Sequence, residues 1–226
     1  MIPAGILMQE SRQGISQVKR MLERRRYRGA RGYWKIHMIR IKEISSCDFS
    51  EYDKIPMLVH IRTEYRAEKI ANGLGGILLK EVEVPYRIKN LGKFCIASKL
   101  QEEFDISKWS FNIAYKDNNP VAGYILALQE PKLIHQKDIA ILWDLRVKDD
   151  ERQQGIGAEL VLELRKKALS FGINQIRIEC QNNNVIACKF YEKMGAELIS
   201  IRENAYWYEK ECEEKIELMW NIDLNK

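Results

Sequence analysis

From residue 38 onward the apolar positions change period repeatedly, and each change predicts an element. Residues 38–44, Met-Ile-Arg-Ile-Lys-Glu-Ile, alternate as a strand does. Residues 50–72 read as a helix with Ile55, Leu58, Val59 and Ile61 as its apolar set, broken by Gly73-Leu-Gly-Gly76. Residues 77–88 are strand-like, and Pro85 confines them to an edge. Residues 101–108 are acidic and show no clear period. The segments 110–115 and 121–128 flank Lys-Asp-Asn-Asn-Pro, which is strong hairpin-turn chemistry.

The second half is sharper. Residues 139–147 form an apolar run containing Asp144, and predict a strand. Residues 156–170 predict a helix, with Leu160, Val161, Leu164, Ala168 and Leu169 on one face and Gly172 past its end. Glu163 and Lys167 are spaced as an i,i+4 ion pair on it. A strand follows at 175–181, then a helix at 185–194 with Asn184 as N-cap and Gly195 beyond it. Strands at 196–202 and 215–222 close the chain. The order predicts an α/β (α+β) domain, a mixed sheet with helices against it.

Composition changes this picture only at the N-terminus. Of 226 residues, 46% are hydrophobic and 31% charged, as in an ordinary globular protein. The net charge of +5 is uneven: residues 1–37 hold nine Lys/Arg against two acidic residues, while the remainder is slightly acidic. Two units are therefore expected. Residues 1–37 are a basic extension, disordered or an over-extended start, whose rival reading is nucleic-acid or anionic-surface binding; residues 38–226 are the domain. Five isolated cysteines and three histidines offer no metal constellation and fit reduced thiols in a cytoplasmic protein. No apolar run is long enough to span a bilayer.

The candidate chemistry lies at the strand-to-helix junction Arg152-Gln153-Gln154-Gly155-Ile156-Gly157-Ala158. Two glycines remove Cβ atoms where a ligand would approach the backbone. The first N–H groups of the helix have no intrahelical partner and sit at the positive end of its dipole. That combination suits a pyrophosphate. One strand later, Ala187 and Tyr191 are four apart, so a small residue shares a helix face with an aromatic hydroxyl. Phe190 reads as a core aromatic.

Arg-Gln-Gln-Gly-Ile-Gly followed by Asn184-x-x-Ala-x-x-Phe-Tyr-x-x-x-Gly195 resembles the Gcn5-related N-acetyltransferase superfamily, well over residues 110–222 and loosely over 38–109. The run Asn-Asn-x-Ile-Ala-Cys-Lys-Phe-Tyr191 is similar to the streptothricin acetyltransferases, which acetylate the antibiotic on its β-lysine amine. The resemblance implies that fold, a mixed, mostly antiparallel sheet splayed at a bulge in a central strand near Leu145-Arg-Val147. It also implies acetyl-CoA as donor, held by residues 152–158 with Asn184 and Ala187, and by backbone N–H groups of Leu145 and Val147.

Amine acetylation needs a proton acceptor, because a lysine-like amine of pKa ~10.4 is about one part in 2,500 unprotonated at pH 7, a handicap of ~4.6 kcal/mol. Asp144 is nominated as that base or as an anchor for a cationic acceptor, with an Asp satisfied by backbone N–H groups as the structural alternative. Tyr191 is nominated as donor to the departing thiolate. Trp143, Tyr206 and the acidic loop Glu203, Glu209 and Glu211 around Trp207 and Tyr208 are expected on the acceptor side. The expected partner is a basic small molecule, with no membrane and no nucleic acid for the domain. A protein or polyamine acceptor, or a non-catalytic acyl-CoA sensor, stays open, as does a homodimer.

Overall fold

The computed structural model describes residues 39–207 and 215–226. The basic extension and the expected boundary at Met38 lie outside the described residues, as do Tyr208, Glu209 and Glu211.

Nine strands are described: β1 (Arg40–Ile44), β2 (Leu58–Lys69), β3 (Ile77–Asn90), β4 (Ser110–Lys116), β5 (Asn119–Ala127), β6 (Ile139–Val147), β7 (Gln175–Gln181), β8 (Glu197–Arg202) and β9 (Glu217–Asp223). Three α-helices join them: α1 (Phe49–Asp53), α2 (Ile156–Ser170) and α3 (Val185–Lys193). Seven strands form one sheet in the order β1-β4-β5-β6-β7-β9-β8, antiparallel throughout except β6–β7. β2 and β3 pair separately as a two-stranded ribbon. The fold is the expected mixed, mostly antiparallel sheet with flanking helices.

The β4–β5 hairpin turns at Asp117 and Asn118, both at positive φ, as a tight two-residue turn requires. α2 buries Leu160, Val161, Leu164 and Ala168 against β5 and β6 on one face of the sheet. Leu169, expected on that face, is 45% exposed. The expected Glu163–Lys167 pair is replaced by two others: Lys166 binds Glu163, and Lys167 reaches Glu43 on β1. On the opposite face, α1 and the 3₁₀ turn Ala97–Glu102 cover a second core of Tyr52, Ile55, Phe111, Ile113 and Ile125. Gly123 of β5 is required there, because a Cβ would lie 2.6 Å from the Tyr52 ring and 2.7 Å from the Asn112 carbonyl.

The helix expected over 50–72 is overturned. Only Phe49–Asp53 is α-helical, and Leu58–Lys69 is a 12-residue strand paired with β3. Pro56 ends the helical stretch, and Val59 and Ile61 are buried at a spacing of two while His60 and Arg62 are not. β3 is an edge strand as expected, and its register slips opposite Arg62, at the segment holding Pro85. Among the described residues no helix is long and apolar enough to cross a membrane.

Candidate active site

β6 is where the sheet opens. Its parallel rungs with β7 stop at Leu142–Ile178, after which β7 stays with β9 and β6 stays with β5. The β5–β6 register slips between the rungs Leu126–Leu142 and Ile125–Asp144, so Trp143 is the extra residue of a bulge. The splay is as expected; the bulge sits two residues before Leu145. It also rephases the strand. Ala140 and Leu142 face the α2 side, as do Leu145 and Val147 beyond the bulge, whereas Trp143, Asp144 and Arg146 all face the α1 side.

The bulge decides which backbone groups are free. Lys148 N–H donates to the Val121 carbonyl at 2.9 Å, so alternation directs Arg146 and Asp144 toward β5. The N–H groups of Leu145 and Val147 then point into the gap that β7 has vacated. This is the geometry needed to hold an extended amide-bearing chain such as pantetheine.

The loop after β6 presents a helix start. Gly155 has φ +94°, and the first helical bond runs from Glu159 N–H to its carbonyl, leaving the N–H groups of Ile156, Gly157 and Ala158 without an intrahelical acceptor. The two glycines do different work. Gly155 supplies the left-handed turn. Gly157 admits Phe190, whose Cζ would be 3.2 Å from a Cβ there. Gln153 also adopts positive φ, and it and Gln154 are exposed. Arg152 is turned back on its own chain: its guanidinium donates to the carbonyls of Val147 and Leu58 and pairs with Asp149 at 3.0 Å. It braces the loop.

On α3 the Asn184 side chain caps the helix by accepting the Ala187 N–H at 3.4 Å. Ala187 lies at the rim of the main core. Phe190 and Tyr191 differ from expectation in burial: Phe190 is half-buried and Tyr191 is 7% exposed. Burial raises the Tyr191 hydroxyl well above its ordinary value, and Cys180 on β7 and Asp144 on β6 raise it further. It therefore lies within electrostatic reach of both arms of the splay.

Asp144 is 3% exposed, and its partner is the Arg146 side chain rather than the backbone N–H groups envisaged. Arg146 Nε donates to Asp144 Oδ1 at 3.2 Å and Nη2 to Oδ2. Arg146 also donates to the carbonyls of Ile55 and Cys95, and stacks 4.7 Å over Tyr52. Trp143 packs edge-on to Phe104 and tilted to Trp109, forming an aromatic wall.

A carboxylate that the sequence reading overlooked stands beside the opening. Glu179 is the first β7 residue past the last rung with β6, on the face opposite the buried Ile178 and Cys180. It is exposed and accepts a 2.6 Å hydrogen bond from the Tyr206 hydroxyl. Glu217, its diagonal neighbour on β9, is buried and paired with Arg202. Burial, then Glu179, push the Glu217 carboxyl upward, and Arg202 opposes them. Tyr206 is raised by burial and by Glu179. Period-two alternation along 175–181 could have flagged Glu179; its tyrosine partner lies 27 residues on, beyond any local pattern. Glu203 is drawn away to Lys69.

The ribbon bridges the two arms. Near its start Leu58 takes the Arg152 bond and His60 binds Asp149 at 2.6 Å, both on the donor loop. Seven residues on, Tyr65 N–H donates to the Asn182 carbonyl at 2.9 Å, and Asn182 Nδ2 donates back to the Tyr65 carbonyl at 2.7 Å. Asn182 Oδ1 accepts from Ile216, so this buried side chain ties ribbon, β7 and β9 together.

Comparison with known proteins places this geometry. The model of the acetyltransferase (GNAT) family matches residues 78–196, more than half of the chain. Among solved structures, a nourseothricin acetyltransferase is 18% identical with a TM-score of 0.66, covering 82% of this chain and 98% of that one. A putative streptothricin acetyltransferase from Bacillus anthracis str. Ames, in complex with acetyl coenzyme A, is 20% identical with a TM-score of 0.65, covering 83% and 98%. The ribosomal-protein-S18-alanine N-acetyltransferase from Escherichia coli is 18% identical with a TM-score of 0.52, covering 83% and 94%. At these identities the structural likeness speaks for the fold. The family match, resting on the segment that carries the splayed strand and the glycine turn, means that this chain belongs to the acetyltransferase (GNAT) family and is an acetyl-CoA-dependent N-acetyltransferase.

Proposed function

We propose that the chain acetylates a primary amine of a basic small molecule, with the β-lysine amine of streptothricin as the leading acceptor. The observation that carries this reading is the Glu179–Tyr206–Glu217 cluster, which sets two carboxylates and one arginine beside the opening in the sheet. A cationic acceptor is favoured there, and the aromatic wall containing Trp143 offers it an apolar flank. The names of two neighbours, a nourseothricin and a streptothricin acetyltransferase, point the same way.

Acetyl-CoA supplies the acetyl group as a thioester. The free N–H groups of Ile156, Gly157 and Ala158 receive its pyrophosphate, with Gln153 and Gln154 alongside. Leu145 and Val147 N–H groups orient the arm and polarise the thioester carbonyl. Glu179 accepts the proton of the acceptor amine, whose nitrogen attacks the carbonyl carbon as the carbon–sulfur bond breaks. Tyr191 donates a hydrogen bond to the departing sulfur. Asp144, locked to Arg146, shapes the acceptor wall and does not take the proton. Holding amine and thioester in contact supplies much of the acceleration, up to ~7–11 kcal/mol in favourable cases.

The test is thiol release from acetyl-CoA with streptothricin, spermidine, an aminoglycoside, a lysine peptide and a peptide with N-terminal alanine. Rapid release with streptothricin alone supports the proposal. A preference for either peptide would replace it with a protein acceptor, and tight acetyl-CoA binding with no release from any of these amines would overturn streptothricin in favour of an acceptor outside the set.

A further inference from the structure

Four side chains from three separate segments form one continuous chain of polar contacts between the donor loop and the ribbon. Arg152 Nη1 pairs with Asp149 Oδ1 at 3.0 Å. Asp149 Oδ2 meets His60 Nε2 at 2.6 Å. His60 Nδ1 meets the Tyr86 hydroxyl of β3 at 2.9 Å, and Arg62 covers the Tyr86 ring at 4.5 Å. Nε2–H donates to Asp149, and Nδ1 shares a hydrogen bond with the Tyr86 hydroxyl. Arg152 adds a second tie through the Leu58 carbonyl.

The position of this chain matters more than its strength. Asp149 and Arg152 lie immediately before the helix start that receives the pyrophosphate. His60 and Tyr86 belong to the ribbon whose far side is fastened to Asn182, at the end of the other arm. The ribbon thus runs from the donor side of the opening to the acceptor side, and His60 is its side-chain key on the donor side. We propose that His60 is a positioning residue that couples the acetyl-CoA loop to the acceptor-side ribbon through Asp149. Donor binding then steadies the ribbon before the acceptor arrives. The coupling rests on acetyl-CoA as the donor and is independent of which amine is acetylated.

The experiment is amide hydrogen exchange of the full-length protein with and without coenzyme A, which needs no acceptor. In the wild type, coenzyme A should slow exchange both across residues 153–158 and across residues 59–65, the latter by about tenfold. In His60→Ala the loop should keep its protection and the protein its affinity for coenzyme A, while the response of residues 59–65 disappears. His60→Gln, whose amide nitrogen reaches Asp149 from nearly the same place as Nε2, should recover most of that response. A lost ribbon response with loop protection intact separates lost coupling from lost binding or folding. Coenzyme A protecting residues 153–158 alone in the wild type, or His60→Ala keeping the ribbon response, would overturn the proposal.

Discussion

Asp144 and Arg146 form a buried ion pair two residues apart on one strand, each side chain about 1% exposed. Residues two apart on a strand share a face, and the bulge at Trp143 turns this one toward α1. The pair is closed by the Ile55 and Cys95 carbonyls and the Tyr52 ring, so little of either charge remains for a ligand. Removing one partner strands the other charge in the core, which costs about 3–5 kcal/mol. Asp144→Asn and Arg146→Met should therefore both lower the urea midpoint strongly. Turnover per folded molecule should fall far less than for a lost general base. A stable Asp144→Asn protein with turnover reduced a hundredfold or more would restore Asp144 as the proton acceptor.

Tyr191 is held protonated by its surroundings. Since burial and the neighbouring Asp144 and Cys180 raise its hydroxyl, it stays a hydrogen-bond donor through the physiological range. Tyr191→Phe should keep the fold and slow turnover by about tenfold, the worth of one ~1.4 kcal/mol transition-state contact. Steady-state rates beside a thermal melt decide it, and wild-type turnover would remove Tyr191 from the mechanism.

Alkaline stability follows from the same kind of group. Tyr52, Tyr124, Tyr191 and Tyr206 are all raised above their ordinary value, chiefly by burial. A raised folded-state value means the stabilisation is complete below the unfolded value near ~10 and is lost as pH climbs toward the folded value. Each such group removes ~1.4 kcal/mol per pH unit in that window, so four together remove roughly 5 kcal/mol. Cys95 and Cys180, also raised, should begin the decline lower, from about pH 8.5. Urea melts between pH 8 and 11 should show it, with a shallower slope in Tyr206→Phe; a flat profile to pH 11 would contradict the burial argument.

The elements that carry the proposed donor half of the site were legible from sequence because their determinants are local. Strand, glycine turn and helix N-terminus follow one another within 139–170, and the observed β6 and α2 have the expected ends. The acceptor half was not, because it depends on contacts distant in sequence. Ile55, Leu58 and Val59 fit a helical face, and the alternation of Val59 and Ile61 is too short a signal to outweigh them until β2 pairs with β3. Asp144 looked available because its counter-ion, Arg146, would share a face with it under any strand reading but binds it only in a dry core. Glu179 looked like an ordinary solvent-facing strand residue until Tyr206 was brought against it.

The two glycines of the donor loop should fail in different ways. Gly155→Ala places a Cβ at φ +94°, a strain of ~1–2 kcal/mol, and tilts the N–H groups that meet the pyrophosphate. It should raise the acetyl-CoA KM severalfold. Gly157→Ala presses a methyl against Phe190 at 3.2 Å, an overpacking cost of about 1–3 kcal/mol. Pairing it with Phe190→Leu should recover much of that stability, as a double-mutant cycle would show. Additive losses in the double variant would mean that Phe190 is not what Gly157 accommodates.

Glu179→Gln gives the sharpest division between the two carboxylates. The substitution keeps an acceptor oxygen for Tyr206 but removes the charge and the basicity. Because Glu179 is exposed, stability should change by no more than ~0.5 kcal/mol. Loss of a general base costs about 10²–10⁴ in turnover, and lifting the pH should rescue part of it as more of the acceptor amine becomes unprotonated. The acetyl-CoA KM should stay put, since the donor loop is on the other arm. A variant that lost acceptor affinity alone, with the maximal rate unchanged, would make Glu179 an anchor for the cationic substrate, with water taking the proton.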